Sequence, residues 1–329
     1  MRGVRTRMNR ILALLLALAL LICPMAGLAE ETPAVRVAAL KGPTAMGLVK
    51  LMQDDEAGNT VNDYEFVVEA TSDAVTPLLL KGELDVAMVP CNLASVLYNK
   101  SEGALQMAAI NTLGVLYVVE CGQEIQTAAD LKGRTIYTTG QGTTPEYALR
   151  FVLSGNGIDP DRDVTIEFLS EAAEVAAALV NDAASVAVLP QPYVMGALSQ
   201  NEGARIALSL TEEWAKVDPK SAMITGVCLV RRDFAESRPD ALAAFLSEYA
   251  ASTEYVNAHP EEAAPWIEAL GIGKAAVIEK ALPMCNIVCI TGQEMATLAG
   301  GYLQALYDQN PKSVGGALPD EAFYYGADN

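Results

Sequence analysis

Hydrophobic positions between residues 35 and 90 follow two periods, one typical of strands and one typical of amphipathic helices. Short apolar runs bounded by Gly, Thr or Pro indicate buried strands, and runs with apolar positions every three or four residues indicate helices. The predicted elements are a strand at Val35–Leu40, a turn at Lys41–Thr44, a helix at Ala45–Gln53, a strand at Tyr64–Ala70, a helix at Ala74–Lys81 that stops at Gly82, and a strand at Asp85–Val89.

The same order of elements recurs 100 residues further along the chain. The identities at this offset are Gly42 with Gly142, Thr44 with Thr144, Asp63 with Asp163, and Val86, Ala87 and Pro90 with Val186, Ala187 and Pro190. The second copy predicts strands at Arg134–Thr139, Val164–Leu169 and Ser185–Leu189, and helices at Thr144–Leu153 and Ala172–Val180. Because strands alternate with helices, we expect two α/β lobes, each a mainly parallel sheet flanked by helices, with ligands at the carboxyl ends of the strands.

Two long apolar runs connect the lobes. Leu105–Glu120 is interrupted by Gly114 and Ala222–Arg232 by Gly226, and each predicts a strand that passes between lobes. The remaining chain is mostly helical, with predicted helices at Pro239–Val256, Glu261–Leu270, Ala275–Ala281 and Thr291–Gln309. Because this tail is poor in strands, we assign it to the first lobe, which gives lobe 1 as residues 30–113 and 226–329 and lobe 2 as residues 114–225.

The first 29 residues have the pattern of a signal peptide. Four arginines precede an uninterrupted apolar run at Ile11–Ile22, whose 12 residues are fewer than the ~20 that span a bilayer. Gly27 and Ala29 supply the small residues of a cleavage site after Ala29. The alternative is a lipoprotein with Cys23 as its modified residue, although Leu20 places a bulky residue where such signals favour a small one. We expect an exported protein, in the periplasm or at the outer face of the cell membrane.

The charge of the chain disfavours nucleic acid as a partner. The full sequence has a net charge of -19, and removing the four arginines of the signal peptide leaves 18 basic against 41 acidic residues, a net charge of -23. Such a surface repels phosphate backbones and anionic membranes while it favours solubility. We expect a monomer.

Five cysteines follow the signal peptide, and their spacing does not match a metal site. They are Cys91, Cys121, Cys228, Cys285 and Cys289. Most lie in apolar, strand-like runs, which favours buried free thiols, with one disulfide as the alternative.

Five segments carry a resemblance to a known family. They are Leu79–Ala87, Ala129–Arg134, Gly226–Phe234, Ala244–Tyr249 and Val256–Ala263. In their order and spacing the chain resembles the solute-binding proteins of ABC importers with the type 2 periplasmic-binding fold, in the branch of nitrate, sulfonate, taurine and thiamine-pyrimidine-like binders. The resemblance implies a two-lobed clamshell that closes on a small solute and delivers it to an ABC permease driven by a separate ATPase.

The candidate ligand-binding residues lie at the turns and strand ends that such a cleft would bring together. Unpaired N–H groups at helix starts are natural donors. The candidates in lobe 1 and the connecting strands are Gly42, Pro43, Thr44, Met46, Cys91, Asn92, Asn111, Thr112 and Thr225, and those in lobe 2 are Gly140, Gln141, Gly142, Thr143, Thr144 and Gln191. We predict Thr144 as a helix cap with Pro145 in the first helical position. Capping without ligand contact is the alternative for Thr44 and Thr144.

The chemistry of these residues favours a neutral or weakly anionic organic solute. They include no Arg cluster, which is the usual bidentate grip on a carboxylate or phosphate. Relatives often carry Glu where this chain has Gln191, which weakens the case for a cationic solute. Lys41 either pairs with an anion or is solvated, and Tyr193 and Tyr137 are more typical of packing than of stacking on a ring.

Catalysis is the alternative class of function, and the sequence argues against it. The sole histidine, His259, lies between predicted helices and is expected at the surface, which removes Ser/His/Asp and Cys/His mechanisms. Cys91 is the best nucleophile candidate but has no identifiable base. We therefore expect no enzyme, no cofactor and no metal site; a pyrimidine-synthase-like enzyme of the same fold and an extracellular sensory module remain the alternatives.

Overall fold

The computed structural model describes residues 33–181 and 186–327. The proposed signal peptide and Cys23 lie outside the described residues. Within these two ranges, no helix is both long enough and apolar enough to cross a membrane. The described chain forms two mixed β-sheets with helices packed around them.

The first sheet has the strand order β11-β4-β10-β3-β1-β2. Its strands are β1 (Val35–Leu40), β2 (Tyr64–Glu69), β3 (Val86–Pro90), β4 (Leu105–Leu113), β10 (Ile224–Arg231) and β11 (Ile287–Ile290). Strand β1 pairs in parallel with β2 and β3, whereas β10 and β11 run antiparallel to their neighbours.

The second sheet has the strand order β7-β6-β8-β5-β9. Its strands are β5 (Leu116–Cys121), β6 (Thr135–Thr138), β7 (Thr165–Phe168), β8 (Val186–Pro190) and β9 (Ala204–Ser209). Strand β6 pairs in parallel with β7 and β8, and β5 runs antiparallel to β8 and β9. The expected fold class is confirmed, and the sheets are mixed because strands outside the repeat, among them β10 inside the first sheet and β5 inside the second, run antiparallel to their neighbours.

The strand registers of the two copies follow the sequence repeat with a shift of one residue. Val37 lies opposite Val86 in the first sheet, and Ile136 lies opposite Val186 in the second. Each β-strand that ends in proline also has an antiparallel partner at that proline, with Gly226 opposite Pro90 and Leu116 opposite Pro190. The two copies therefore place equivalent turns at the same edge of each sheet.

The helices include every helix that the sequence pattern predicted, with shifts of a few residues at their ends. They are α1 (Pro43–Met46), α2 (Val49–Glu56), α3 (Ser72–Leu80), α4 (Cys91–Lys100), α5 (Thr144–Gly155), α6 (Ala172–Asn181), α7 (Tyr193–Gln200), α8 (Leu210–Val217), α9 (Arg232–Ser237), α10 (Pro239–Ala258), α11 (Pro260–Ala269), α12 (Ala275–Ala281) and α13 (Gly292–Gln309). Short 3-10 helices lie at Ala128–Leu131, Leu282–Met284, Pro311–Val314 and Glu321–Phe323. The helix predicted after the first turn is divided into α1 and α2 at Gly47.

The helical tail packs mainly on the first sheet. Helix α10 is joined to the region of α2 by Ser252, whose hydroxyl donates to the carbonyl oxygen of Gly47 at 2.6 Å and accepts from the N–H of Leu51 at 3.0 Å. Strand β11, which the sequence pattern missed because only four residues form it, extends the same sheet beside β4.

The chain passes between the sheets in two places. The first apolar run divides at Gly114, so that β4 ends at Leu113 in the first sheet and β5 begins at Leu116 in the second. The second run was expected to cross between lobes, which is wrong: β10 lies wholly in the first sheet, and the chain crosses before it, after α8 ends at Val217. The reason is its register, because β10 pairs along its length with both β3 and β4.

Candidate functional site

Polar side chains gather where β4 and β10 approach the crossing between the sheets. Gly226 permits this arrangement, since a Cβ atom there would lie 2.4 Å from Asn111 Oδ1 and 2.5 Å from Thr44 Cγ2. The Asn111 amide nitrogen donates to the carbonyl oxygen of Thr44 at 3.3 Å, which links β4 to the first turn. Asn111 and Thr112 are fully buried. The structure thus brings three of the predicted residues, Thr44, Asn111 and Thr112, together around one glycine.

Six side-chain oxygens of the described residues are buried without a hydrogen-bond partner, and those of Asn111, Thr112 and Thr225 lie on β4 and β10 near Gly226. Among the described residues, the six such side-chain oxygens are Asn111 Oδ1, Thr112 Oγ1, Gln191 Oε1, Thr211 Oγ1, Thr225 Oγ1 and Tyr249 OH. Four of the six belong to residues that the sequence nominated for ligand binding. Because each unsatisfied buried group costs on the order of 1–3 kcal/mol, a concentration of them at one place is typical of a site built for a ligand.

Gln191 lies where the second sheet meets the tail of the chain. Its side chain is 1% exposed, and its amide nitrogen is 3.6 Å from Met284 Sδ. The phenol of Tyr117 on β5 donates to the Met284 carbonyl oxygen at 2.7 Å. The backbone N–H of Gln191 donates to the carbonyl oxygen of Val115 at 3.0 Å, so Gln191 is held at the first crossing. Met284 was missed by the sequence analysis, and no pattern distinguished it from other apolar residues of the tail.

The first turn carries Gly42 at its apex, with φ of 134°. A Cβ atom there would contact nothing within 4 Å, so the glycine faces open space. Gly42 is the residue before α1, and Pro43 begins that helix. The Thr44 hydroxyl donates back to the carbonyl oxygen of Leu40 at 2.9 Å, which closes the turn instead of capping the helix. Lys41 is exposed.

The second turn, Gly140–Thr144, is closed by its own side chains. The Thr143 hydroxyl donates to the Gly140 carbonyl oxygen at 2.7 Å, and the N–H of Gly142 donates to Glu146 Oε2 at 2.7 Å. Gly140 and Gly142 both have φ of 73°, a conformation that favours glycine. The predicted cap at Thr144 is wrong by one residue, because Thr143 precedes the helix and Thr144 is its first residue.

Glu146 is a further residue of this turn that the sequence analysis did not single out. Its spacing from Thr143 is that of the Ser/Thr-x-x-Glu pattern found at helix starts, which was the available signal. Its side chain is 13% exposed and also accepts from Arg150 Nε at 2.7 Å. The Glu146 carboxylate therefore accepts a hydrogen bond from the Gly142 N–H group, which was expected to face the solute.

Contacts to α13 place the second turn against the tail of the chain. The hydroxyl groups of Tyr302 and Thr144 are 3.5 Å apart. One turn later in α5, the Tyr147 phenol accepts from the Asn310 amide at 2.9 Å and its carbonyl oxygen accepts from Gln309 at 3.2 Å. Since α13 packs on β4 of the first sheet, these contacts hold the second turn against a helix of the first sheet.

Three predicted residues have other contacts. Met46 is fully buried in a cluster with residues of α10, α11 and α12. Asn92 lies in the first turn of α4 and donates to the carbonyl oxygen of Ser313 at 3.3 Å. Cys91 is 1% exposed, and burial raises the pKa of its thiol well above its usual value, which keeps it protonated. Gln141 and Tyr193 are exposed.

The other candidate groups show no catalytic arrangement among the described residues. His259 lies at the surface between α10 and α11, with its side chain 44% exposed and stacked near Tyr255. The five cysteines Cys91, Cys121, Cys228, Cys285 and Cys289 are free. Burial raises the pKa of Cys285 to about 12 and that of Cys289 to about 11. Because the thiolate is the nucleophilic form, these raised pKa values disfavour Cys285 and Cys289 as nucleophiles at neutral pH.

Comparison with known proteins agrees with this architecture. Residues 58–281 match the family model described as ABC transporter, phosphonate, periplasmic substrate-binding protein. An ABC transporter protein from Parabacteroides distasonis is similar in structure, with a TM-score of 0.75, 24% identity, and coverage of 89% of this chain and 99% of that one. The periplasmic aliphatic sulphonate binding protein SsuA from Escherichia coli has a TM-score of 0.68 and 18% identity, over 88% of this chain and 93% of that one.

A third similar structure is the periplasmic nitrate-binding protein NrtA from Synechocystis PCC 6803. It has a TM-score of 0.54 and 16% identity, over 76% of this chain and 70% of that one. No curated protein matches the sequence significantly. At these identities the structural likeness concerns the fold alone.

Proposed function

Since this chain belongs to the family of ABC-transporter periplasmic substrate-binding proteins that the phosphonate model describes, we propose that it captures a small neutral or weakly anionic organic solute between its two sheets and delivers it to a membrane permease. The observation that carries this proposal is the concentration of buried, unpartnered oxygens at the crossing, on Asn111, Thr112, Thr225 and Gln191. A bound solute would satisfy them.

The two turns supply the other contacts of the proposed site. Gly42 and Pro43 follow β1 of the first sheet, and Gly140, Gln141, Gly142, Thr143 and Thr144 follow β6 of the second. Gly42 and Gly142 both face space in which a Cβ atom would meet nothing within 4 Å, so a solute can approach their backbones closely. Cys91, Asn92 and Met46 remain candidates only if the solute reaches past the contacts that bury them.

We propose that the two sheets belong to two lobes, lobe 1 comprising residues 30–113 and 226–329 and lobe 2 residues 114–225. The assignment of strands to separate sheets on either side of Gly114 supports the first boundary. At the second boundary β10 pairs in the first sheet from Ile224 onward, which moves the end of lobe 2 to between Val217 and Ile224. Binding would shift the population toward a closed form in which the solute touches both lobes. The permease would recognise that form.

We further propose that the protein is exported, acts as a monomer and works with a permease whose ATPase is a separate component. It performs no chemistry on the solute. The buried, protonated thiol of Cys91 and the surface position of His259 support this reading, because neither supplies a nucleophile or a base between the sheets.

Gly142 provides a test with a matched control. At φ of 73°, Gly142→Ala imposes backbone strain, and Gly157→Ala imposes the same strain at φ of 75°; neither Cβ atom would meet another atom within 4 Å. A thermal-shift screen of sulfonates, nitrate, pyrimidines and amino acids identifies a stabilising solute. We expect Gly142→Ala to weaken its binding and Gly157→Ala to leave it unchanged. Equal affinity in both variants would remove this turn from the site.

Closure itself is measured by small-angle scattering with and without the stabilising solute. We expect the radius of gyration to decrease on binding. If no solute of any class raises the melting temperature and none contracts the protein, the proposed function is wrong.

A further inference from the structure

We propose that the site selects an uncharged solute that presents N–H or O–H donors, and that Glu146 is a specificity-determining residue that rejects oxyanions. This inference rests on the proposed function, since it concerns the same space between the sheets. It differs from the ligand chemistry in the family description, which names a phosphonate. Three features of the structure carry it: an occupied turn, a retained negative charge and a pair of unmatched acceptors.

The turn that should hold an oxyanion is already occupied. An oxyanion at a helix start is bound by free backbone N–H groups. Here the N–H of Gly142 donates to Glu146 Oε2 at 2.7 Å, and the Thr143 hydroxyl donates to the Gly140 carbonyl oxygen at 2.7 Å. Both donors are directed within the turn. An incoming phosphonate or sulfonate would have to displace a carboxylate that the chain itself supplies.

The local charge also opposes an anion. Arg150 donates to Glu146 through Nε at 2.7 Å and to Asp161 through Nη1 at 2.8 Å. One guanidinium therefore serves two carboxylates, and the group of three retains a net negative charge. Glu146, at 13% exposure, is the less solvated of the two carboxylates. A second anion beside it would be repelled through a medium that screens charge less than water does.

The unpartnered amide oxygens at the crossing require hydrogen-bond donors from a solute rather than acceptors. Asn111 already uses its amide nitrogen on the Thr44 carbonyl oxygen, which leaves Oδ1 as the free atom. Gln191 directs its amide nitrogen to Met284 Sδ, which leaves Oε1 free. An amide oxygen can only accept a hydrogen bond. Both side chains are at least 99% buried, so solvent cannot supply the donor.

The two acceptors are 80 residues apart in the sequence, and each lies near the first crossing between the sheets. Asn111 is on β4 four residues before Val115, whose carbonyl oxygen accepts the backbone N–H of Gln191. Thr112 and Thr225 have hydroxyls that donate or accept, so they suit either kind of solute and do not discriminate. Sulfonate, nitrate and the phosphonate dianion have only acceptors and would leave both amide oxygens unsatisfied, whereas an amide, urea or polyol group would satisfy them.

Lys41 is the basic residue of the first turn, and its position does not supply a buried counter-charge. Its side chain is exposed, and its Nζ is 3.3 Å from the point where a Cβ atom of Gly271 would lie. It is therefore directed toward the loop between α11 and α12. An exposed ammonium keeps its water and contributes little to selecting an anion.

The test compares charged and neutral probes on the wild type and on Glu146 variants. The probes are methylphosphonate, methanesulfonate and nitrate as oxyanions, with methanesulfonamide and acetamide as neutral donors, and binding is measured by calorimetry and by the shift in melting temperature. Glu146→Gln removes the charge and keeps an oxygen for the Gly142 N–H, and Glu146→Ala frees that N–H. Asp130→Asn is the control, because Asp130 also accepts backbone N–H groups but precedes β6, at the opposite end of that strand.

We expect the neutral probes to bind the wild type more tightly than the oxyanions do. We expect oxyanion affinity to rise about tenfold in Glu146→Gln and further in Glu146→Ala, since one nearby like charge is removed, with no change in Asp130→Asn. Unchanged oxyanion affinity in both Glu146 variants overturns the inference, and Glu146→Gln decides the matter if Glu146→Ala does not fold.

Tight oxyanion binding by the wild type with contraction in scattering also overturns the inference and leaves the proposed function intact. If Lys41→Ala abolishes that binding, Lys41 and not Glu146 sets the charge preference. Failure of every probe and of the wider solute screen instead refutes the proposed function.

Discussion

Gly226→Ala tests whether the approach of Thr44 and Asn111 to β10 is as close as the structure shows. The added methyl group would lie 2.4 Å from Asn111 Oδ1 and 2.5 Å from Thr44 Cγ2, well inside ordinary contact distance. Neither neighbour can move freely, because Asn111 is 0% and Thr44 7% exposed. Gly226 lies in β10, at an irregularity in its pairing with β4, and its φ is not positive, so the effect comes from overpacking and not from φ.

The magnitude follows from what the methyl group displaces. Forcing one extra methyl group into a packed region costs roughly 1–3 kcal/mol. If Asn111 is pushed away, the hydrogen bond from its amide nitrogen to Thr44 is also lost, which adds about 1 kcal/mol. We therefore expect Gly226→Ala to reduce the free energy of unfolding by about 2–4 kcal/mol. Solute affinity should fall as well, because the same two side chains line the proposed site.

Urea unfolding at equilibrium, followed by circular dichroism, measures the effect. Gly196→Ala is the control, because Gly196 lies within α7 and a Cβ atom there would meet nothing within 4 Å. In a helix this change should stabilise by roughly 0.5–1 kcal/mol. If Gly226→Ala unfolds at the same urea concentration as the wild type, the contact around Gly226 is looser than described and the reasoning is refuted.

Three further predictions concern charge and thiols. Asp85→Asn should lower the free energy of unfolding by about 1–3 kcal/mol, because the Asp85 side chain is 6% exposed and accepts from Arg36 Nε at 3.0 Å and Nη2 at 2.6 Å. The control Asp161→Asn, at an exposed carboxylate, should change the free energy of unfolding by less than about 0.5 kcal/mol. Equal losses in the two variants would contradict this prediction. At pH 8, a thiol reagent should not modify Cys91, Cys228 or Cys285 in the native protein, because burial raises the pKa of each thiol; rapid native labelling, compared by peptide mapping with urea-unfolded protein, would show that they are accessible. Backbone hydrogen bonds, first that from the Gln126 N–H, lower the pKa of Asp130 in the folded protein, so it contributes stability above the unfolded-state pKa that is lost as pH falls. The unfolding midpoints of wild type and Asp130→Asn should therefore differ at pH 6 and converge as the pH falls through the lowered folded-state pKa of Asp130, and a difference that does not shrink at acid pH would contradict the assignment.

The fold could be predicted largely because its elements repeat. The pattern at Val35–Leu40 gave β1 with its observed bounds, and the offset of 100 residues predicted the second set of strands. Strand β11 and the position of the second crossing could not be predicted, because they depend on pairing partners distant in sequence. Ile287 lies opposite Thr112, a relation that no local pattern contains.

The candidate site was predictable in its polar residues and not in their contacts. Asn111 and Gln191 stand out as polar residues at the ends of apolar runs, and the structure finds both buried and incompletely paired. Asn92 has the same appearance in the sequence, yet its amide is used by the carbonyl oxygen of Ser313, more than two hundred residues later. Only the tertiary structure distinguishes these cases. Glu146 was accessible through its spacing from Thr143, but its effect on a solute depends on where the turn lies.

The two crossings between the sheets touch each other at Gly114. A Cβ atom on Gly114 would lie 2.9 Å from Met223 Sδ and 2.2 Å from Thr211 Oγ1, so the first crossing lies directly against residues at and before the second. Two connecting segments in contact act as a single hinge. Two separated connecting segments would act as two hinges. We therefore expect the two sheets to rotate relative to each other about a single axis through Gly114, because the contact between the connecting segments resists rotation about any other axis. A larger residue at position 114 would push the two connecting segments apart. The angle between the sheets in the protein without solute would then change even where every solute contact is preserved.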